Sequence, residues 1–146
     1  MDLEVVTDRL KQALSKRIML LDGAYGTAIQ QYELTEKDFR GGLLTKHSKA
    51  LIGNNDLLIL TKPDVVLEIH ESYLESGCDI LSTNTFSSTK VAQSDFHTQD
   101  LCKELNFQGA QLARKVADRF SSEEKPIFVA GSLGPTNRTA SLSPDV

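Results

Sequence analysis

Short apolar runs alternate with helix-like segments along this 146-residue chain, and the alternation is the feature that most restricts its fold. The runs cover residues 18–21, 57–60, 79–81 and 127–130, and each predicts a buried strand. Strands of continuous apolar character that alternate with helices predict parallel βαβ units, in which helices cover both faces of the sheet. The expected class is therefore α/β, as an open doubly wound sheet or a closed (β/α)8 barrel.

Three segments have the periodicity of amphipathic helices. The first is a leading helix over residues 1–17 with Asp2 as its N-cap, the second runs from Pro63 to Gly77, and the third follows Thr98 as its N-cap. The apolar positions that share a face are Leu3, Val6, Leu10, Ala13 and Leu14 in the first helix, Val66, Ile69 and Tyr73 in the second, and Leu101, Leu105, Leu112, Val116 and Phe120 in the third.

Two parts of the chain do not fit this alternation. Residues 30–55 are irregular, and a loop of this length inside a compact domain is usually functional or a lid. The residues before Val146 are polar, rich in Ser and Pro, and contain no closing helix. We therefore expect residues 1–146 to be the truncated N-terminal portion of a larger domain, with the leading helix in 1–17 and strands 1 to 4 with their helices in 18–146.

The composition narrows the function by exclusion. The formal net charge is −4, whereas a nucleic-acid or anionic-membrane surface requires a basic face. No apolar run is long enough to span a bilayer, and the acidic N-terminus is neither a secretory nor a transit signal. Cys78 and Cys102 have neither metal-ligand spacing nor a disulfide pattern, so a reducing cytosol is expected.

Small or polar residues follow every apolar run: Asp22-Gly23, Thr61, Thr83-Asn84-Thr85 and Gly131-Ser132. In a parallel sheet all carboxyl ends of the strands meet at one edge, which is where these folds bind ligands. Glycines let backbone N–H groups approach a carboxylate or phosphate, and an acid holds a cation or an ammonium group. Together the residues suit a zwitterion such as an amino acid, with a phosphate as the alternative. Each one alone is also typical of a turn or a strand end.

The histidines and cysteines do not form a second candidate site. His47, His70 and His97 are unclustered, and we expect His70, in the stretch EIHES, on an exposed helix face. Cys78 and Cys102 are expected to be small core or boundary residues rather than reactive thiols.

Five stretches of the sequence are distinctive when they are taken in order: LDGAYGTAIQ, QQYELTEKDFRG, GNNDLLILTKP, STNTF and GSLGPTNRTASLSPDV. Together they resemble the N-terminal part of the cobalamin-dependent methionine synthases, and GNNDLL and GPTNRTAS are closer to that branch than to the betaine-using or S-methylmethionine-using enzymes. The first module of those synthases is a homocysteine-binding (β/α)8 barrel shared with other homocysteine S-methyltransferases. The resemblance implies that this chain is the first half of such a barrel, with about four strands.

The resemblance also implies a chemistry, the transfer of a methyl group from methylcobalamin to a zinc-bound homocysteine thiolate. Zinc held by cysteine thiolates removes the proton from a thiol whose pKa is otherwise about 8.5. Asp22 and Gly23 match the first-strand position expected to hold the amino-acid end of homocysteine. Thr83 matches a third-strand position expected to contact the same zwitterion, with Asn84 and Thr85 beside it.

The same resemblance implies what the chain lacks. The zinc-binding cysteines are expected beyond Val146, and neither Cys78 nor Cys102 matches them, so no catalytic residue, metal or cofactor is expected in this chain alone. The expected partners are homocysteine, the remaining half of the barrel, and the folate- and cobalamin-binding modules of the same polypeptide, with self-association through exposed sheet edges. Three alternatives remain: a cobalamin-independent homocysteine S-methyltransferase, a non-catalytic half-barrel binding or assembly module, and another (β/α)8 or doubly wound enzyme that binds a phosphorylated ligand at residues 131–136.

Overall fold

The computed structural model describes residues 3–136, and this part of the chain contains seven helices and two strands. The helices are α1 (Leu3–Lys16), α2 (Tyr25–Gln30), α3 (Glu36–Arg40), α4 (Leu58–Thr61), α5 (Pro63–Glu75), α6 (Lys90–Gln93) and α7 (Cys102–Phe120), and the strands are β1 (Ile80–Ser82) and β2 (Phe128–Ala130). Short 3-10 turns cover Asn55–Leu57, Ser94–Phe96 and Gln99–Leu101. Asp2, the predicted N-cap of α1, lies outside the described residues, as does most of the GPTNRTASLSPDV stretch. No described helix is both long and apolar enough to cross a membrane.

The strands are parallel and are connected by helices. β1 pairs with β2, with Leu81 opposite Val129. On its other side β1 forms one parallel bridge to Leu21, where the Asp22 N–H donates to the Ile80 carbonyl at 3.0 Å. Since α5 precedes β1 in the chain and α7 connects β1 to β2, the connections are βαβ units. The predicted α/β class with parallel pairing is confirmed.

Residues 18–21 do not form the buried strand that the sequence predicts. The bridge at Leu21 is the part of the prediction that the structure retains. The side chains of Ile18, Leu20 and Leu21 are 88%, 56% and 59% exposed, so no layer of residues 3–136 covers them. Apolar character therefore predicted the pairing of this segment but not its environment.

Residues 57–60 form α4 and the end of the turn before it, so the predicted strand is wrong. The predicted burial is right, because Leu57 and Leu58 are fully buried and Ile59 is 2% exposed. The Lys62 N–H donates to the Leu58 carbonyl at 2.9 Å, which is a helical i to i−4 bond. A run that is buried on all sides is apolar at every position. It therefore lacks the spacing of apolar and polar residues that distinguishes a helix from a strand. Residues 3–136 accordingly contain two strands and one bridge instead of four strands.

The core consists of two apolar clusters, and α5 and α7 contribute to both. The first cluster contains Ile29, Phe39, Leu51, Leu57, Leu58, Ile59, Val65, Val66, Ile69 and Leu105, and the second contains Leu74, Cys78, Leu81, Val116, Ala117 and Ile127. The amphipathic faces predicted for these two helices are therefore confirmed. Burial of several such side chains, each stabilising the fold by about 1.5–3 kcal/mol, holds the helices against β1 and β2.

The predicted ends of α5 are confirmed, whereas the predicted start of α7 is wrong. Pro63 begins α5, and Gly77 follows its end with a φ of +98°, a conformation that favours glycine. α7 begins at Cys102, after a 3-10 turn. The Thr98 hydroxyl does not cap it, because that hydroxyl is buried and donates to Gln93 Oε1 at 2.7 Å.

Residues 30–55, predicted to be irregular, contain the last residue of α2, all of α3 and several turns. The Glu36 carboxylate accepts hydrogen bonds from the N–H groups of Leu51 and Ile52. Arg40 donates to the His47 carbonyl at 2.7 Å. These bonds tie the two ends of the segment together and make it an ordered wall of the domain. Its role as a lid stays a prediction.

Candidate functional site

A cleft of about 470 Å³ opens at the carboxyl ends of the strands. Its lining comes from three separate stretches of the chain: residues 23–26 after the Leu21 bridge, residues 53–56 before α4, and residues 82–87, apart from Thr85, from the end of β1 onward. Phe96 and Ser132 complete it. This is the edge at which parallel α/β folds bind ligands.

The five residues predicted for the site all lie at this edge, at two different depths. Gly23, Thr83 and Asn84 line the cleft, whereas Asp22 and Thr85 are not among its lining residues. Thr83, Asn84 and Thr85 are each 4% exposed. The structure therefore brings the predicted residues together, with three of them facing the cleft.

The turn after β1 is fixed by hydrogen bonds of its own side chains. The Thr83 hydroxyl accepts from the Ser132 N–H at 2.9 Å and lies 2.6 Å from the Thr85 hydroxyl. The Thr85 hydroxyl donates to the Ser132 carbonyl at 2.9 Å, and Asn84 Nδ2 donates to the Asn55 carbonyl at 3.0 Å. These bonds join the end of β1 to the end of β2 and to the stretch 53–56.

Asp22 joins the Leu21 segment to the end of β1. Its Oδ2 accepts from the Ser82 N–H at 2.7 Å, and its Oδ1 accepts from the Ser82 hydroxyl at 2.8 Å. The Tyr25 hydroxyl lies 3.1 Å from Oδ2 as a third donor. Since a carboxylate has about four acceptor positions, the protein itself fills most of those of Asp22.

Two glycines near the cleft are explained by close packing. A Cβ on Gly23 would lie 2.9 Å from the hydroxyl oxygen of Tyr73, which donates to the Ala24 carbonyl at 3.0 Å. A Cβ on Gly109 of α7 would lie 2.7 Å from Thr85 Cγ2. Gly23 therefore makes room for a tyrosine ring, a reason that the sequence pattern of a turn did not reveal.

His70 is fully buried, so the prediction of an exposed helix face is wrong. Its Nδ1 lies 2.5 Å from the hydroxyl of Tyr25, which lines the cleft, and its Nε2 has no hydrogen-bond partner among the described residues. Burial lowers the pKa of His70 to about 4, so the ring is neutral near pH 7. The signal was present in the sequence, because His70 follows Val66 and precedes Leu74 by four residues each, which places all three on one helical face.

Asp56 is the cleft residue that the sequence analysis missed. It is 5% exposed and lines the cleft. Its Oδ2 accepts from the Ser87 N–H at 2.7 Å and from the Ser88 hydroxyl at 2.8 Å, whereas Oδ1 accepts from no residue of the described chain. Burial raises the pKa of the Asp56 carboxyl, and the two hydrogen bonds oppose that rise. The motif GNNDLL pointed to this position only through the family resemblance.

A buried pair of amides supports the stretch that carries Asp56. Asn54 Nδ2 donates to Gln93 Oε1 at 2.9 Å, and Gln93 Nε2 donates to Asn54 Oδ1 at 3.1 Å. The two residues are 2% and 0% exposed. Because both amides are satisfied, this network fixes the 53–56 stretch against α6.

Both cysteines are free and buried, as predicted for core or boundary residues. Burial, followed by the nearby Asp22 carboxylate, raises the pKa of Cys78 to about 11, which removes it as a nucleophile near pH 7. Within residues 3–136, no group of three or more His, Cys, Asp or Glu side chains could hold a metal ion. These residues therefore do not fit the zinc site of the family resemblance.

Comparison with known proteins gives a family match and, separately, a similarity of fold. Residues 19–146 match the family described as homocysteine S-methyltransferase. The fold is similar to that of the homocysteine methyltransferase MmuM from Escherichia coli, with a TM-score of 0.64 and 22% identity for its metallated form and a TM-score of 0.65 and 23% identity for its oxidized form. Each comparison covers 87% of this chain and 41% of the MmuM chain, so the present chain spans less than half the length of that protein. From the family match over residues 19–146, the chain belongs to the homocysteine S-methyltransferase family.

Proposed function

We propose that residues 1–146 supply part of the homocysteine pocket of a methyltransferase of the cobalamin-dependent methionine synthase type. The observation that carries the proposal is the cleft at the strand ends, into which Gly23, Thr83 and Asn84 converge. The stretches GNNDLL and GPTNRTAS support the cobalamin-dependent branch. The free thiols of Cys78 and Cys102 suit the reducing cytosol as its location.

The cleft has the chemistry that an amino acid with an apolar side chain requires. Polar groups at Thr83 and Asn84 suit the zwitterionic end, and the rings of Phe86 and Phe96 offer apolar contact for two methylenes and a sulfur. Asp22 and Thr85 hold the polar wall in place from behind. Direct contact of Asp22 with homocysteine stays a prediction, with at most about one acceptor position left for it.

The proposal assigns to this chain the first part of a homocysteine-binding barrel. The 41% coverage of MmuM supports further strands elsewhere in the protein, and residues 3–136 supply two strands and one bridge. By the family resemblance, the zinc-binding cysteines would lie beyond Val146. The folate- and cobalamin-binding modules would belong to the same polypeptide.

Two measurements test the proposal. The intact mass of the protein from its native cells is expected to lie well above the 16.1 kDa of this chain. Methionine formation from homocysteine is expected from the native-length protein and absent from the isolated 146-residue chain. Activity in the isolated chain would refute the assignment of a partial pocket, and a native-length protein that methylates no homocysteine would refute the function. Turnover with betaine or S-methylmethionine in place of cobalamin would favour a cobalamin-independent enzyme.

The alternative of a phosphorylated ligand at residues 131–136 has little support from the cleft. Asp56 is the one charged side chain among the described residues that line it, and its charge repels an anion. Phosphate sites generally use lysine, arginine or a run of free N–H groups. Saturable phosphate binding without any response to homocysteine would reverse this conclusion.

One observation favours a second candidate function, a non-catalytic half-barrel that assembles with a partner. Several large apolar side chains are exposed on the described surface, at 88% for Ile18, 84% for Leu133 and 56% for Phe107. Apolar surface of this kind marks contact with another segment or chain. Sedimentation of the isolated chain is expected to show dimers or larger species. A clean monomer with a cooperative melt would remove this candidate.

A further inference from the structure

We propose that the Asp56 carboxylate binds the ammonium group of the amino acid in the cleft. This inference rests on the proposed function and adds a residue to it. It names the group that distinguishes an amino acid from the corresponding deaminated acid.

The two carboxylate oxygens of Asp56 are used unequally. Ser87 N–H and Ser88 Oγ–H both donate to Oδ2, at 2.7 and 2.8 Å, and orient the carboxylate. Oδ1 receives no hydrogen bond from the part of the chain that the structure describes. Oδ1 is not fully buried, unlike His70 Nε2, and therefore retains solvent contact at the cleft that Asp56 lines. One oxygen is thus anchored and the other is available to a ligand.

The charge of the Asp56 carboxylate has no opposite charge beside it in the described lining of the cleft. Asp56 is 5% exposed, and no lysine or arginine is among the described residues that line the cleft. A carboxylate in this position lacks a compensating charge, and burial raises its pKa accordingly. A ligand cation that contacts Oδ1 would supply both the missing charge and a charge-assisted hydrogen bond.

Asp22, the carboxylate predicted from the sequence to bind the ligand, differs from Asp56 in the number of acceptor positions left open. Both oxygens of Asp22 already accept from Ser82, and Asp22 does not line the cleft. A ligand would compete there with donors of the protein itself. The available acceptor is on Asp56.

A purely structural role for Asp56 makes a different prediction. If it only held Ser87 and Ser88 in place, its loss would weaken binding of every ligand of the cleft by a similar factor. Recognition of an ammonium group weakens only ligands that carry one. A pair of ligands that differ in this group alone therefore separates the two roles.

The experiment is calorimetric titration of the native-length protein with homocysteine and with 4-sulfanylbutanoate, its analogue without the amino group. Asp56→Asn is the main variant, because the amide oxygen can still accept from Ser87 and Ser88 while the amide nitrogen replaces the free oxygen. Asp22→Asn is the matched variant. We expect wild type to prefer homocysteine by at least about 10-fold and Asp56→Asn to lose most of that preference, with affinity for the analogue changed less than about threefold.

Each outcome bears on the proposal. An undiminished preference in Asp56→Asn, an equal loss for both ligands, or a preference that disappears only in Asp22→Asn overturns it. Equal binding of the two ligands to wild type overturns it as well, while leaving the proposed function standing. No homocysteine binding to wild type refutes the proposed function itself.

If Asp56→Asn does not fold, Asp56→Glu tests the same point, because it keeps the charge and moves it by one methylene. Its homocysteine affinity is then expected to fall at least about fivefold with the analogue unaffected, and equal effects on both ligands would contradict the proposal.

Discussion

Two rims of the cleft each carry an aspartate, and the protein uses the two carboxylates differently. The first rim, residues 22–26, holds Asp22, whose oxygens accept from Ser82 and Tyr25. The second rim, residues 53–56, holds Asp56, which is more deeply buried and yet keeps one oxygen that accepts from no donor in the described part of the chain. Burial alone therefore does not reveal which acid serves the fold and which serves a ligand. The unfilled acceptor position distinguishes them.

The supports behind the two rims differ as well. Behind the first rim is the buried ring of His70, whose Nδ1 contacts the Tyr25 hydroxyl and whose Nε2 has no partner within residues 3–136. Behind the second rim is the amide pair of Asn54 and Gln93, in which both partners are satisfied. The support of the first rim should consequently respond to acid, whereas the amide pair behind the second rim contains no titratable group.

The largest expected effect is on stability at the first rim. Asp22→Ala removes the acceptor for two Ser82 donors and one Tyr25 donor, and the free energy of unfolding is expected to fall by about 3 kcal/mol or more. Asp56→Asn is expected to cost about 1 kcal/mol, because its amide oxygen can replace the oxygen that Ser87 and Ser88 use. Urea unfolding followed by circular dichroism measures both. Equal losses for the two variants would show that both aspartates stabilise the fold to the same extent.

The next effect is a loss of stability in acid through His70. Its pKa of about 4 in the folded state lies below 6.5, so between these values the unfolded chain binds a proton that the folded chain does not. Stability is therefore expected to fall by about 3 kcal/mol as the pH decreases from 6.5 to about 4. Unfolding curves across this range, for wild type and for His70→Gln, provide the measurement. A slope as steep in His70→Gln as in wild type would contradict the assignment.

Two other carboxylates, those of Asp79 and Asp56, also contribute to the change of stability in acid. Asp79, which Arg17 contacts with two hydrogen bonds of 2.6 Å, has a pKa held below its ordinary value of 3.8, so its contribution to stability is lost at lower pH than that of His70. Asp56 acts with the opposite sign, because its raised pKa lets the folded chain take up a proton more readily. Amide exchange in acid is accordingly expected to increase at Ser82 before it increases at Ser87.

The smallest effects concern one serine at each rim. Ser82 and Ser88 each donate a hydroxyl to an aspartate at 2.8 Å, and alanine at either position is expected to lower the free energy of unfolding by about 1 kcal/mol. Only Ser88→Ala is expected to raise the pKa of Asp56 further, because that hydroxyl stabilises its charged form. Carboxyl NMR titration separates the two variants. A raised pKa of Asp56 in Ser82→Ala would show that the rims are coupled.

The topology of parallel strands was enough to predict the edge at which the cleft lies. The local environment of single residues, above all Asp56, could not be predicted in the same way. Parallel strands bring their carboxyl ends together whatever their exact lengths, so Gly23, Thr83 and Asn84 were placed at one edge correctly. The segment 57–60, predicted as a strand, lies mostly in α4. A fully buried apolar run has no spacing of apolar and polar residues from which its secondary structure could be predicted. That error also concealed Asp56, which stands between the predicted irregular segment 30–55 and the predicted strand 57–60.

Two further features depended on tertiary contacts that a pattern does not contain. Gly23 makes room for Tyr73, a residue fifty positions away that no turn rule includes. His70 stands between Glu68 and Glu71 in the sequence, yet the packing of α5 buries it. In both cases the sequence pattern predicted the local structure correctly. The role of the residue depended on packing against parts of the chain that are distant in sequence.

Hydrogen exchange of the native-length protein, with and without homocysteine, is the most direct test of a homocysteine pocket in this cleft. We expect slower exchange in residues 23–26, 53–56 and 82–87 together, since these stretches line one cleft. The exposed face of α7 around Phe107 and Lys115 provides the internal control and is expected to remain unchanged. Unchanged exchange in all three stretches, or slowing confined to residues 131–136, would contradict the claim that this cleft is a homocysteine pocket.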